Sequence, residues 1–191
     1  MHALLGVSGL VLVAAITPGP NNLVILREAA RAGVTGALPA IAGIVAGSVA
    51  LLAAVLAGAG AAFEAEPRLR SIIGIAGCLY LAWLGIRLLR SRGSQAAAGQ
   101  LPTGAPALFG FQFLNPKGWV MVLTATSAAP GAPLWHLAAL FALIPLLCLL
   151  AWALLGSAIS SALARPAVAV WFDRAMGALL LTSAIALAAD L

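Results

Sequence analysis

Apolar residues run almost unbroken through most of the chain, and the places where they stop divide it into six stretches long enough to cross a bilayer. The first covers about residues 3–26 and is interrupted at Thr17-Pro18-Gly19-Pro20-Asn21-Asn22. A connection over 27–36, carrying Arg27, Glu28 and Arg31, leads to a second stretch at about 38–63. The charged segment 64–70 turns into a third stretch at 71–89. Residues 90–106, rich in Ser, Gly, Gln and Pro, read as a flexible loop. A fourth stretch, about 107–129, is interrupted at Asn115-Pro116-Lys117-Gly118, and Pro130-Gly131-Ala132-Pro133 is a tight turn. The fifth covers about 134–163, and after Arg165-Pro166 the sixth covers about 167–189.

Composition turns this pattern into a membrane reading. Of 191 residues 63% are apolar and only 8% charged, against about 45–50% and 25% in soluble domains. So few charges cannot cover a soluble fold, which excludes an ordinary cytosolic enzyme. Six spans of about 20 residues leave about 70 for connections, too few for a separate soluble domain. The expectation is a single all-α transmembrane domain of six helices. Its half-repeats lie at about 1–90 and 106–191, joined by the loop at about 91–105.

The net charge of +5 would invite a nucleic-acid partner in a soluble protein, but here the basic residues sit at the ends of apolar runs. With six spans, Arg27, Arg31, Arg87, Arg90, Arg92, Arg165 and Arg174 share one side. The other side has only Arg68 and Arg70, beside Glu64 and Glu66. The positive-inside rule then puts loops 27–36, 90–106 and 164–166 in the cytoplasm and both termini outside. The N-terminal run lacks the basic leader of a signal peptide, having only His2, and reads as a retained span. Cys78 and Cys148 sit in apolar runs at no metal-ligand spacing and read as packing residues.

Three spans is an odd number, so the second half enters the membrane in the opposite sense to the first. Each half opens with a span broken by Pro and Asn, the pointer to an inverted-repeat transporter with broken first and fourth helices. Pro18 and Pro20 deny the carbonyls of Ala14 and Ile16 their helical donors, and Gly19 permits a sharp bend. Asn21 and Asn22 add amides, and a helix restarting there presents N–H groups and a positive dipole end suited to a carboxylate. Pro116 frees the carbonyl of Gln112, while Asn115 and Lys117 bring an amide and a charge. Lys117 lies about 15 Å into its span, where a charge costs roughly 2.5–3.5 kcal/mol on insertion scales. Both breaks fall at similar depth from the basic side, so one pocket can draw on both. Lys117 and freed N–H groups would suit an anionic group there, and the carbonyls of Ala14, Ile16 or Gln112 a cationic one such as an ammonium. The competing readings are simple Pro kinks and a Lys117 that snorkels to the interface.

Asp173 and Arg174, near the start of the last span, read first as a mutual ion pair, with Asp173 as a proton-carrying carboxylate the alternative. Tyr80 and Trp83 read as packing residues, with Tyr80 a candidate pocket wall, and Trp135 and Trp171 as interfacial anchors. Gly43-Ile44-Val45-Ala46-Gly47 is a GxxxG pattern that lets helices approach closely. There is no metal-ligand cluster, no Ser/His/Asp set and no phosphate loop, so no enzyme, metal or cofactor is expected.

The motifs Ile16-Thr17-Pro18-Gly19-Pro20-Asn21-Asn22, Gly77-Cys78-Leu79-Tyr80-Leu81-Ala82-Trp83-Leu84-Gly85-Ile86-Arg87 and Phe109-Gly110-Phe111-Gln112-Phe113-Leu114-Asn115-Pro116-Lys117 occur in that order. With Ala29-Ala30-Arg31-Ala32-Gly33 between the first two, the chain resembles the LysE/RhtB family of amino-acid exporters over essentially its whole length. The resemblance implies export of amino acids or close derivatives across the bacterial inner membrane, driven by the proton gradient. It also implies that Pro18, Gly19, Pro20, Asn21, Asn115, Pro116 and Lys117 line or shape the path. The chain is short for that family, and Ala125-Thr126-Ser127-Ala128-Ala129 departs from the aromatic, Pro-containing segment common there. The expected partners are a small-molecule substrate and the lipid bilayer, not nucleic acid, and a homo-oligomer is left open. The rival readings are export of another small solute or of a metal ion, and a non-transporting membrane scaffold. The breaks offer a metal only amides and carbonyls, and the scaffold has only the low-complexity loop as a surface.

Overall fold

The computed structural model describes residues 2–91 and 104–189, and the expected loop at 90–106 lies mostly outside them. Among the described residues all regular structure is helical. The chain forms α1 (His2–Ile16), α2 (Pro20–Ala54), a π-helical turn (Val55–Ala59) and α3 (Gly60–Ala65). There follow α4 (Pro67–Leu89), α5 (Ala105–Leu114), α6 (Pro116–Ala128), α7 (Leu134–Ala158), the single turn α8 (Ser160–Leu163) and α9 (Pro166–Ala189). Four helical stretches are long and apolar enough to cross a membrane, Pro20–Ala62, Ser71–Leu89, Leu134–Ala158 and Pro166–Ala186. Leu4–Ile16 and Ala105–Leu114 are shorter apolar helices.

The expected connection at 27–36 is corrected: it is helical, and the chain direction changes at one residue, Gly33 (φ 72°, ψ 176°). Asn21 hydrogen-bonds Gln112, and a Cβ placed on Gly47 would lie 2.6 Å from the Gln112 side chain. In one straight helix positions 21 and 47 would be about 39 Å apart. Residues Pro20–Ala54 therefore fold back on themselves as a hairpin with Gly33 at its bend. Arg27, Glu28 and Arg31 do not end the helix because they are paired: Arg31 reaches Glu28 at 3.0 Å, and Arg27 meets Asp173. Only glycine takes Gly33's backbone conformation at no cost, so Gly33→Ala is expected to destabilise by about 1–3 kcal/mol. A fall in apparent melting temperature in detergent checks this, and an unchanged one would put the bend elsewhere.

Polar and apolar residues are distributed as lipid requires. Asn22, Ser48, Gln112, Asn115 and Asp173 are buried, while Leu79, Leu147 and Leu154 are more than 60% exposed. Two apolar clusters hold the bundle. One joins both arms of α2 to α4, α5, α7 and α9 through residues such as Ile25, Ile41, Leu84, Leu108, Leu149 and Leu180. The other joins α1, the end of α2, α6 and α7 through Val11, Leu52, Val122 and Phe141. Glycines set the closest approaches: Gly47 faces the Phe109 carbonyl, Gly156 the backbone of Leu26, and Gly85 and Gly177 face each other's carbonyls.

Candidate functional site

Both helix interruptions occur where Pro denies the backbone a donor, and the structure brings them together. The first break lies at residues 17–19 and the second at Asn115, whose φ of −84° and ψ of 104° leave the helix. The carbonyls at the end of α1 find partners from side chains. The Asn22 amide donates to Ala15 O at 3.0 Å and Thr17 O at 2.9 Å, and Trp152 Nε1 donates to Ile16 O at 3.3 Å. Asn22→Ala would strip two such bonds from a buried position and is expected to cost about 1–3 kcal/mol. Asn22→Asp should cost about as much, because a carboxylate accepts but cannot donate. Thermal unfolding in detergent reads both, and native stability in the aspartate variant would mean that Asn22 does not cap α1.

A pair of amides joins the start of α2 to α5. Asn21 Nδ2 donates to Gln112 Oε1 at 2.9 Å, and Gln112 Nε2 donates back to Asn21 Oδ1 at 3.2 Å and to Leu108 O at 2.9 Å. Lys117, from the first turn of α6, reaches across with Nζ 3.0 Å from Thr17 O. The two restarting helices differ. Asn115 caps α6 with its own side chain, accepting from Lys117 N at 3.2 Å. Nothing caps α2, whose N-cap is Gly19. A Cβ on Gly19 would lie 3.5 Å from Lys117 Nζ, so the ammonium stands against the uncapped, positive end of α2.

These groups surround one open cleft, with about 510 Å³ of empty space when its mouth is included. Gly19, Pro20, Asn21, Asn22, Gln112, Asn115 and Lys117 line it, as does Ala14. Of the other residues predicted for the pathway, Thr17 contributes its carbonyl at the rim. Pro18 faces a smaller cleft beside Leu23 and Met176, and Pro116 packs where a Gly77 side chain would be. Tyr80 is not among the lining residues; its ring packs 4.9 Å from Phe111. Of the carbonyls expected to await an ammonium, that of Ile16 accepts from Trp152 and that of Gln112 from the Asn115 N–H at 3.3 Å. Ser48, Met121, Pro145 and Leu149 are among the other lining residues, and none of them is a residue the sequence points to as part of the pathway. Of these only Pro145, a proline inside an apolar run, carried a signal in the sequence.

The expected Asp173–Arg174 pair is corrected. Asp173 is fully buried and paired with Arg27, and its Oδ2 accepts from Ser91 Oγ at 2.7 Å. Arg174, one position on, points to the exposed face and lies over Trp171. Adjacent residues on a helix differ by about 100° in direction, so only one of the two can face inward. Among the described residues no group of His, Cys, Asp and Glu could hold a metal ion.

Apolar outward faces and two helices broken around a common cleft lined by amide and lysine side chains fit a membrane-embedded translocator. The chain belongs to the LysE type translocator family, whose model matches residues 12–191. It is 30% identical to a cysteine/O-acetylserine efflux protein of Klebsiella pneumoniae over 76% of this chain and 77% of that one. A protein of the same description from Salmonella typhimurium is 32% identical over 61% of this chain and 60% of the relative. A leucine efflux protein of the same species is 32% identical over 47% and 44%. No solved structure matches.

Proposed function

We propose that this protein is a secondary transporter that exports neutral amino acids or close derivatives across the bacterial inner membrane, with the proton as coupling ion. The observation that carries the reading is Lys117 Nζ at the uncapped start of α2. A cation beside the positive end of a helix is unfavourable unless an anion joins them, and both features suit a carboxylate. The substrate ammonium would take the Ala14 carbonyl and the amide oxygens of Asn21 and Gln112. Among the described residues that line the cleft, Lys117 is the only charged one. With no carboxylate there, a cationic side chain would find no partner and a like charge, which disfavours lysine and arginine as substrates. The efflux relatives, named for cysteine, O-acetylserine and leucine, support a neutral substrate.

Six crossings in a 3+3 inverted repeat fit this function. On this reading the hairpin of α2 supplies the second half of the first crossing and the whole of the second. Each interrupted unit packs against the crossing that follows the other one: α1 and α2 on α7, α5 and α6 on α2. The third and sixth crossings, α4 and α9, pack on each other. Rocking of these two sets would expose the cleft to alternate sides. The test is efflux from cells loaded with mixed dipeptides, with and without the protein, reading the whole amino-acid profile. Faster release of one or a few neutral amino acids is expected. Release of lysine or arginine alone would overturn the neutral-substrate reading, and an unchanged profile with the protein in the membrane would overturn amino-acid export.

A further inference from the structure

A buried pair of opposite charges lies outside the cleft. Arg27 and Asp173 form an ion pair whose side chains are 10% and 0% exposed. Ser91, just beyond α4, donates to the carboxylate, and Phe172 lies under the guanidinium, 5.6 Å from ring centre to Cζ. Apolar residues of similar size would hold three helices together as well or better, so such a pair is weak evidence of a merely stabilising role. Charges held within an apolar bundle point instead to function. Arg27 stands on the same helical arm as Asn21 and Asn22, about 7.5 Å along the axis from Asn22. What ties Arg27 to α9 therefore also fixes one wall of the cleft.

We propose that Asp173 is a proton-binding site, and that Arg27 and a proton compete for its carboxylate. This rests on the transport reading for its purpose, though not for its first test. In the paired form the guanidinium neutralises the carboxylate, with Ser91 donating to Oδ2. In the other form one proton from water binds an Asp173 oxygen, no covalent bond breaks, and the site gains one positive charge. A buried guanidinium without its partner is unfavourable, so Arg27 withdraws toward water and the arm carrying Asn21 and Asn22 is released from α9. Conversely, burial disfavours a carboxylate without its cation, so withdrawal of Arg27 favours uptake of the proton. The pair thus persists at higher pH and gives way as pH falls. The neighbouring charged groups are otherwise engaged or outside: Glu28 pairs with Arg31, Arg87 lies over Trp83, Arg174 over Trp171, and Arg90 and Arg165 are exposed.

The test uses the full chain in proteoliposomes, with Cys78 and Cys148 replaced by alanine and Ser48→Cys as a reporter in the cleft. Maleimide labelling is followed between about pH 8 and pH 5.5, each rate divided by that of the same protein unfolded in detergent to remove the thiol's own pH dependence. The expected result is a several-fold rise in relative labelling on acidification, replaced by fast, pH-independent labelling in Asp173→Asn. The doubly neutral Arg27→Gln/Asp173→Asn, which leaves no unpaired buried charge, should behave in the same way and serves if the single variant fails to fold. A pH profile unchanged by these substitutions, or slow labelling in them at every pH, would overturn the proposal. In a second measurement, a pH gradient drives a mixture of the twenty amino acids and O-acetylserine, with pyranine reporting lumenal protons. Proton-coupled accumulation should be lost in Asp173→Asn. Equal coupling in that variant would overturn the proton site and leave the export reading standing. If the wild type moves none of these compounds, the export reading falls while the labelling still decides the proton site.

Discussion

Replacing Lys117 by alanine is expected to abolish export while the protein still accumulates in the membrane. The Lys117 ammonium donates to the Thr17 carbonyl, a contact at the open rim of the cleft and not part of either apolar cluster. Losing it removes little that holds the helices together. Its loss from the transport cycle is larger, because a hydrogen bond to a charged group contributes about 1.5–3 kcal/mol, or roughly 10- to 150-fold in substrate affinity. Lys117→Met keeps length and apolar packing and should be as inactive as alanine, which separates charge from volume. Asn115→Ala is expected to be inactive for another reason: without its side-chain cap the first turn of α6 frays, at about 0.5–2 kcal/mol, and Lys117 loses its position. The measurement is efflux rate normalised to membrane abundance. Export at the wild-type rate by both Lys117→Ala and Asn115→Ala would sink the pocket.

The interruptions were legible because Pro and Gly act through the backbone, locally, whatever surrounds them. Pro18, Pro20 and Pro116 remove donors wherever they stand, so the breaks at residues 17–19 and at Asn115 follow from sequence alone. That the two would meet could be argued from depth, but the amide pair between Asn21 and Gln112, 91 positions apart, depends on how the helices pack. The same limit hid the partner of Asp173. A charge beside a charge in sequence suggests a pair, yet Arg174 points outward and the cation that reaches Asp173 comes from 146 positions away. Arg27, Glu28 and Arg31 looked like a loop because charge usually ends an apolar run. With those charges paired, the helix continues to a bend at the inconspicuous Gly33. Ser48 and Met121 lie in the apolar stretches beyond the two breaks, so nothing at those positions marks them as walls of the cleft.

Enlarging Gly156 is expected to cost the folded protein itself. It lies near the end of α7 against the backbone of Leu26, where a Cβ would stand 2.9 Å from the Leu26 carbonyl carbon and 3.0 Å from its Cα. A side chain in the way could rotate aside, but backbone cannot. This stretch of α2 is anchored on both sides of Leu26, by the Asn22 amide at the break and by Arg27 on Asp173. The only remaining response is for α7 to move off α2, opening the packing among Ile25, Leu149 and Ala153 in the larger apolar cluster. Overpacking a well-filled core costs about 1–3 kcal/mol when side chains can adjust, and a clash with fixed backbone should reach or exceed the top of that range. Gly156→Ala should therefore unfold at markedly lower temperature, and Gly156→Leu should yield no monodisperse protein on size-exclusion after detergent extraction. Gly110 on α5 provides the control, since nothing lies within 4 Å of a Cβ there. Gly110→Ala should be neutral or stabilising by about 0.5–1 kcal/mol, the ordinary gain of alanine over glycine in a helix. Because α7 also carries Pro145 in the cleft wall, any Gly156→Ala protein that folds should export more slowly than Gly110→Ala at equal abundance. Equal stability and equal export in the two alanine variants would mean that α7 does not approach α2 this closely in the membrane.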